Sequence, residues 1–139
     1  MQVERRAPSA EGFEDRHGSL SFVVPYPGLV RMTVEGRASG PMSQRIVQLL
    51  EDTLERHQQL VVFDDWERAT GYESEVRIRL TDWTERHQQR IPETHVLAGS
   101  KLVSMGLAVA AIVLRKPLQV HPTRASFERA WASAVASRR

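Results

Sequence analysis

Leu60-Val-Val-Phe-Asp-Asp65 is the stretch that decides how the chain is read. Its first four residues form a continuous apolar run, as expected of a strand covered on both faces. Such strands belong to sheets in which helices carry the chain from one parallel strand to the next. The flanking segments agree. Upstream, Met42, Ile46, Leu49, Leu50 and Leu54 recur at helical spacing after Gly40-Pro41. Proline is tolerated there because a first helical turn does not need its N–H. Downstream, Thr70-Gly-Tyr-Glu73 has the spacing of a capping box. It predicts a helix that buries Val76, Leu80 and Trp83 and stops before Pro92.

Further out, Leu20, Phe22 and Val24 alternate with more polar neighbours, and so do Val30, Met32 and Val34. Pro25-Tyr-Pro-Gly28 supplies the reversal between them, so the two strands form an antiparallel hairpin. On the other side, His95-Val-Leu-Ala98 and Leu118-Gln-Val-His121 read as strands. Gly99-Ser100 opens a helix between them, and Thr123 caps a last one whose Phe127, Ala130, Trp131, Ala134 and Val135 share a face. The order is ββαβαβαβα: an α/β domain whose mixed sheet starts with a hairpin and continues in βαβαβα units. Residues 1–17 are polar and aperiodic and read as a flexible tail, leaving 18–137 as a single domain. Glu55-Arg-His-Gln-Gln59 and Glu85-Arg-His-Gln-Gln89 are identical, each closing a helix before a strand, where basic side chains suit the helix dipole.

Composition narrows the function classes. With 41% hydrophobic and 26% charged residues the composition is ordinary for a globular protein, so disorder is not the default. It has no cysteine, which removes disulfides, thiolate metal sites and cysteine nucleophiles together. The net charge is +2 and both signs are dispersed, against the concentrated basic face that nucleic acid requires. Met1-Gln-Val-Glu-Arg-Arg lacks an apolar signal core. A cytoplasmic protein without a transmembrane segment is therefore expected.

In parallel sheets ligands gather beyond the carboxyl ends of the strands. That edge is expected to hold Asp64, Asp65, Ser100 and His121. A serine, a histidine and an aspartate together suggest a hydrolase, but the glycine-x-serine-x-glycine elbow is absent around Ser100. For a metal, His57 and His87 fall at helix ends, and His95, beginning its strand, is expected at the opposite edge from His121. No phosphate-cradling glycine loop is present. The expectation is a non-enzymatic domain with no catalytic residues, no metal and no cofactor. The most apolar stretch, residues 102–114, is too short to span a bilayer, which takes about 20 residues. Its large apolar groups cover a wider arc than a surface helix needs. Val103, Leu107 and Leu114 are thus candidates for a face that meets a partner, a second copy or an apolar ligand.

Val34-Glu-Gly36 ending a strand, the amphipathic helix after it, and Leu60-Val-Val-Phe-Asp-Asp65 leading to another helix resemble the STAS domains. That fold is shared by anti-sigma factor antagonists and the cytoplasmic tails of sulfate transporters, and the resemblance covers about residues 18–137. In the antagonists an Asp-Ser-Ser-Gly motif opens the helix after the third strand, and its first serine is phosphorylated. The matching stretch here is Glu73-Ser-Glu-Val76, which makes Ser74 the positional phospho-acceptor, without the second serine or the glycine. The resemblance implies a regulatory or scaffolding domain of the bacterial cytoplasm that acts by contact with a protein partner or by self-association. The expected interaction surface is the loop that carries Asp65, Trp66, Arg68 and Tyr72, residue types that anchor interfaces. A carrier or sensor of a lipid or other small apolar ligand is the alternative, and a hydrolase the further one.

Overall fold

The computed structural model describes residues 9–114 and 118–139, with the backbone alone at Ser9, Val109 and 111–113. Seven strands and four helices follow in the order β1 (Ser9–Glu14), β2 (Gly18–Tyr26), β3 (Leu29–Ala38), α1 (Gly40–Arg56), β4 (Val61–Trp66), β5 (Ala69–Tyr72), α2 (Ser74–His87), β6 (Glu93–Ala98), α3 (Lys101–Val113), β7 (Gln119–His121) and α4 (Arg124–Ala136). They form one mixed sheet in the order β1-β2-β3-β4-β6-β7. The β2–β3 hairpin is antiparallel, and β4, β6 and β7 then run parallel to β3.

In turn, β4, β6 and β7 are each added on the same side of the one before. Crossovers are right-handed, so successive helices laid down in one direction fall on one face of the sheet. Strand alternation shows the result. Val30, Met32, Val34, Val62 and Trp66 pack with Met42, Ile46, Leu50, Val76, Trp83 and Val103 from α1, α2 and α3. Leu29, Val61, Phe63 and Leu97 point the other way and pack with Phe127 of α4. The Trp83 indole N–H donates to Glu51 at 3.1 Å and fastens α2 to α1. Arg90 donates to the carbonyls of Leu54 and His57, the ones a helix end leaves open.

Helix starts follow the expected chemistry at three of four places. Ser39, Ser100 and Thr123 cap α1, α3 and α4, each accepting a backbone N–H through its side chain. The fourth is a correction. Thr70-Gly-Tyr is not a capping box but strand β5, which pairs in parallel with the far half of β3 while β4 pairs with the near half. Edge pairing satisfies the backbone that a cap would have served. The helix begins later, with Glu73 as its cap residue and Ser74 as its first residue.

The expected flexible tail is also corrected. Ser9–Glu14 is an edge strand paired along its whole length with β2, so the ordered domain starts before Gly18. Asp15 holds the turn, accepting the backbone N–H groups of His17 and Gly18, and also accepts the Ser39 hydroxyl. The Ser39 hydrogen bond is the foremost reason that the Asp15 carboxyl lies below its ordinary range. Residues 1–8 of the expected tail lie outside the described residues.

Gly36 bends β3 with a φ of +76°, and a Cβ there would stand 2.6 Å from the His17 carbonyl oxygen. Gly36→Ala is therefore expected to lower unfolding stability by about 2 kcal/mol or more through strain and backbone displacement. Urea denaturation should show this as a lower midpoint at unchanged slope.

Candidate functional site

Two adjacent carboxylates on β4 define two sites, because alternate residues of a strand face opposite sides of the sheet. Asp64 points to the side covered by α2 and α3, between the backbone partners Met32 and Val96. It reaches a cavity of about 110 Å3 between these helices and the sheet. Trp66, Tyr72, Val76, Leu80, Val103, Leu107 and Leu114 supply apolar wall, and Arg77, Thr81, Thr84 and Thr94 add polar groups. Gly106 lets α3 approach Tyr72, since a Cβ there would meet the phenol oxygen. The Asp64 Oδ1 is sealed from solvent and has no hydrogen-bond partner. Burial without compensation pushes the carboxyl up to about 7.

Asp65 faces the α4 side and is fully engaged. Arg124 of α4 donates to its two oxygens at 2.6 and 3.0 Å and to Glu67 at 2.9 Å. Arg31 approaches it at 3.6 Å and pairs with Glu128 at 2.7 Å, with its guanidinium over the rings of Phe127 and Trp131. The Asp65 hydrogen bond is the main reason that Arg124 is held still more firmly charged. This cluster docks the first turns of α4 on the sheet.

Beside it, His95 and His121 form a pair, correcting the expectation that they sit at opposite edges. His95 lies in the middle of β6, and the parallel register puts His121 diagonally across on β7. Their rings approach at 2.9 Å, Nδ1 of His95 to Nε2 of His121. His95 stacks flat on Phe63 at 4.2 Å and contacts Glu93 at 3.3 Å, while His121 Nδ1 meets the Ser126 hydroxyl at 2.7 Å.

The residues singled out from sequence are distributed among these sites. Val103, Leu107 and Leu114 are brought together in the cavity wall, and Tyr72 joins them. Trp66 is 8% exposed and Asp65 is buried under Arg124, so neither lies on a docking loop. Of those four loop residues Arg68 alone stays well exposed, 3.7 Å from Glu35. The loop is instead the tight turn joining β4 to β5. Ser74 is exposed at the first residue of α2, flanked by Glu73 and Glu75. Ser100 spends its hydroxyl on the Val103 N–H, and both ring nitrogens of His121 are taken by His95 and Ser126. No Ser100–His121 dyad forms. Among the described residues, no group of three or more histidine, aspartate or glutamate side chains is placed to hold a metal ion.

Comparison with known proteins bears on the architecture. Among solved structures, the chain is similar to an uncharacterised protein of the DUF3478 family with a SpoIIAA-like fold from Shewanella loihica PV-4. The likeness spans 93% of this chain and 97% of that one at a TM-score of 0.58 and 10% identity. The fold is STAS-like. No protein-family model and no curated protein matches the sequence. In this STAS-like domain no helix among the described residues is long and apolar enough to cross a membrane.

The raised Asp64 carboxyl has a consequence for stability. The folded state holds its proton up to about pH 7, whereas an unfolded carboxyl releases it near 3.8. Asp64 therefore contributes most below pH 4, and that contribution is lost as the pH rises towards and through 7. Asp64→Asn should remove this slope and be the more stable form at pH 8, by a few kcal/mol in chemical denaturation.

Proposed function

We propose that this STAS-like domain binds a small, largely apolar molecule that carries one hydrogen-bonding group, held between α2, α3 and the sheet. The observation that carries this reading is the unpartnered Asp64 oxygen at a largely apolar cavity wall. A buried polar group without a partner costs about 1–3 kcal/mol, and a ligand hydroxyl or amine that donates to it recovers this. Binding sites of this kind combine an apolar lining with a few convergent polar groups. Asp64 orients the ligand, and Val103, Leu107 and Leu114 supply the contact area. The carrier or sensor role follows from this, and the domain needs no cofactor and no catalysis for it. As a STAS-like domain in the cytoplasm, it would report occupancy by contact with another protein. Leu102 and Met105, 46% and 65% exposed on the outside of α3, favour that contact over the β4–β5 turn.

Benzyl alcohol and toluene serve as probes, one with a donor and one without. At about ten times Kd, benzyl alcohol should raise the melting temperature by roughly 3–5 °C. Toluene should bind more weakly, and Asp64→Leu should abolish the preference between them. Leu107→Trp should fill the cavity and remove both shifts. If Leu107→Trp folds and both shifts persist, the molecules bind elsewhere and the reading fails. Native mass spectrometry of the purified protein would also reveal a retained ligand as a reproducible mass above that of the bare chain.

A further inference from the structure

The histidine pair on the α4 face plays no part in the ligand cavity, and with both rings neutral and Glu93 ionised its hydrogen bonds run in one direction. An ionised Glu93 accepts and cannot donate, so His95 must donate to it from Nε2 across 3.3 Å. A neutral His95 then carries no hydrogen on Nδ1, and His121 must donate to it from Nε2 across 2.9 Å. That leaves Nδ1 of His121 as an acceptor, and the Ser126 hydroxyl, 2.7 Å away, donates its hydrogen there. Glu93, His95 and His121 on β6 and β7 thus polarise the hydroxyl of Ser126 on α4. Burial, the main cause, lowers the His121 pKa and so favours the neutral ring that the chain requires.

Ser126 occupies the first turn of α4, and its own backbone N–H is used by the Thr123 hydroxyl at 3.1 Å. The N–H groups of Arg124 and Ala125 at this helix end have no intrahelical acceptor, an environment that favours developing negative charge. Ser126 and His121 are half-buried at the rim of the sheet, whereas His95 beneath them is buried against Phe63. The reactive end of the chain therefore faces the solvent side and its support faces the core.

The geometry points to Ser126 as a nucleophile towards activated carboxylic esters, with His121 as its general base and His95 and Glu93 as positioning residues. The Ser126 Oγ forms a bond to the carbonyl carbon as its proton passes to Nδ1 of His121. The tetrahedral species then expels the alcohol oxygen, which takes that proton, and leaves an acyl ester on Ser126. Water repeats the sequence, giving the free acid and restoring the serine, so one ester and one water yield one acid and one alcohol.

An alkyl fluorophosphonate tests this directly. Attack forms an O–P bond, breaks the P–F bond and releases fluoride, with the serine proton passing through His121 to solvent. A single phosphonyl adduct is expected on Ser126 by peptide mapping, absent in Ser126→Ala. In a folded His121→Gln variant the labelling rate should fall at least tenfold. Glu93→Gln, a substitution at a half-exposed side chain, should slow labelling several-fold without moving the melting temperature. Absence of the adduct on Ser126 overturns the proposal, and so does an unchanged rate in folded His121→Gln. If His121→Gln does not fold, an unchanged rate in Glu93→Gln overturns it.

Discussion

One constraint organises the molecule: after β3, the strands β4, β6 and β7 are each laid down on the same side of the one before. With right-handed crossovers, this leaves α1, α2 and α3 no choice of face. The helix that follows the last strand is then the one available to cover the opposite face. Three helices close over Val30, Met32, Val62 and their neighbours as a large core. A lone helix of 13 residues covers the other side. A single helix shields a narrow band of sheet, so polar groups survive around it, and Arg31, Asp65, Arg124, Glu128, His95 and His121 occupy that border. Their mutual pairing replaces the apolar cover that a second helix would give.

The contrast between Asp64 and Asp65 follows from the same division. The two carboxylates are adjacent in sequence, and the pleat sends them to opposite sides. Asp65 enters a border rich in guanidinium groups and is matched by hydrogen bonds from Arg124. Asp64 enters the helix-covered side and meets Met32, Val96 and the walls of a cavity. The first is a structural tie. The second is a polar group placed where folding alone gives it no partner, which is the usual mark of a site shaped for something else.

Much of the fold was legible in the sequence because periodicity is a local property. The hairpin, the buried run at Leu60–Phe63, the helix starts at Gly40-Pro41 and Gly99-Ser100 and the cap at Thr123 all read correctly from neighbouring residues. What failed depends on pairing. Ser9–Glu14 and Ala69–Tyr72 have weak strand patterns and are strands because β2 and β3 offer open edges to them. Thr70-Gly-Tyr-Glu73 satisfied a helix-start pattern that the sheet overrode. The apolar positions Val103, Leu107 and Leu114 could be singled out from sequence because they share one helix face. The His95–His121–Ser126 chain could not, since it is created by the register of β6 on β7. One signal was available: alternation along β4 already separates Asp64 from Asp65, although both were expected at a common edge.

The link from Asp15 to the cap of α1 changes where the domain may be divided. Through Ser39 the turn after β1 takes part in starting the first helix, so the edge strand and the helix form one cooperative piece. A fragment cut at Gly18 would keep every residue that looks structured in the sequence and yet leave β2, nine residues long, as an open edge. Unpaired strand edges recruit other chains. For such a fragment, self-association would be a product of the cut and would say nothing of the assembly state of the intact chain.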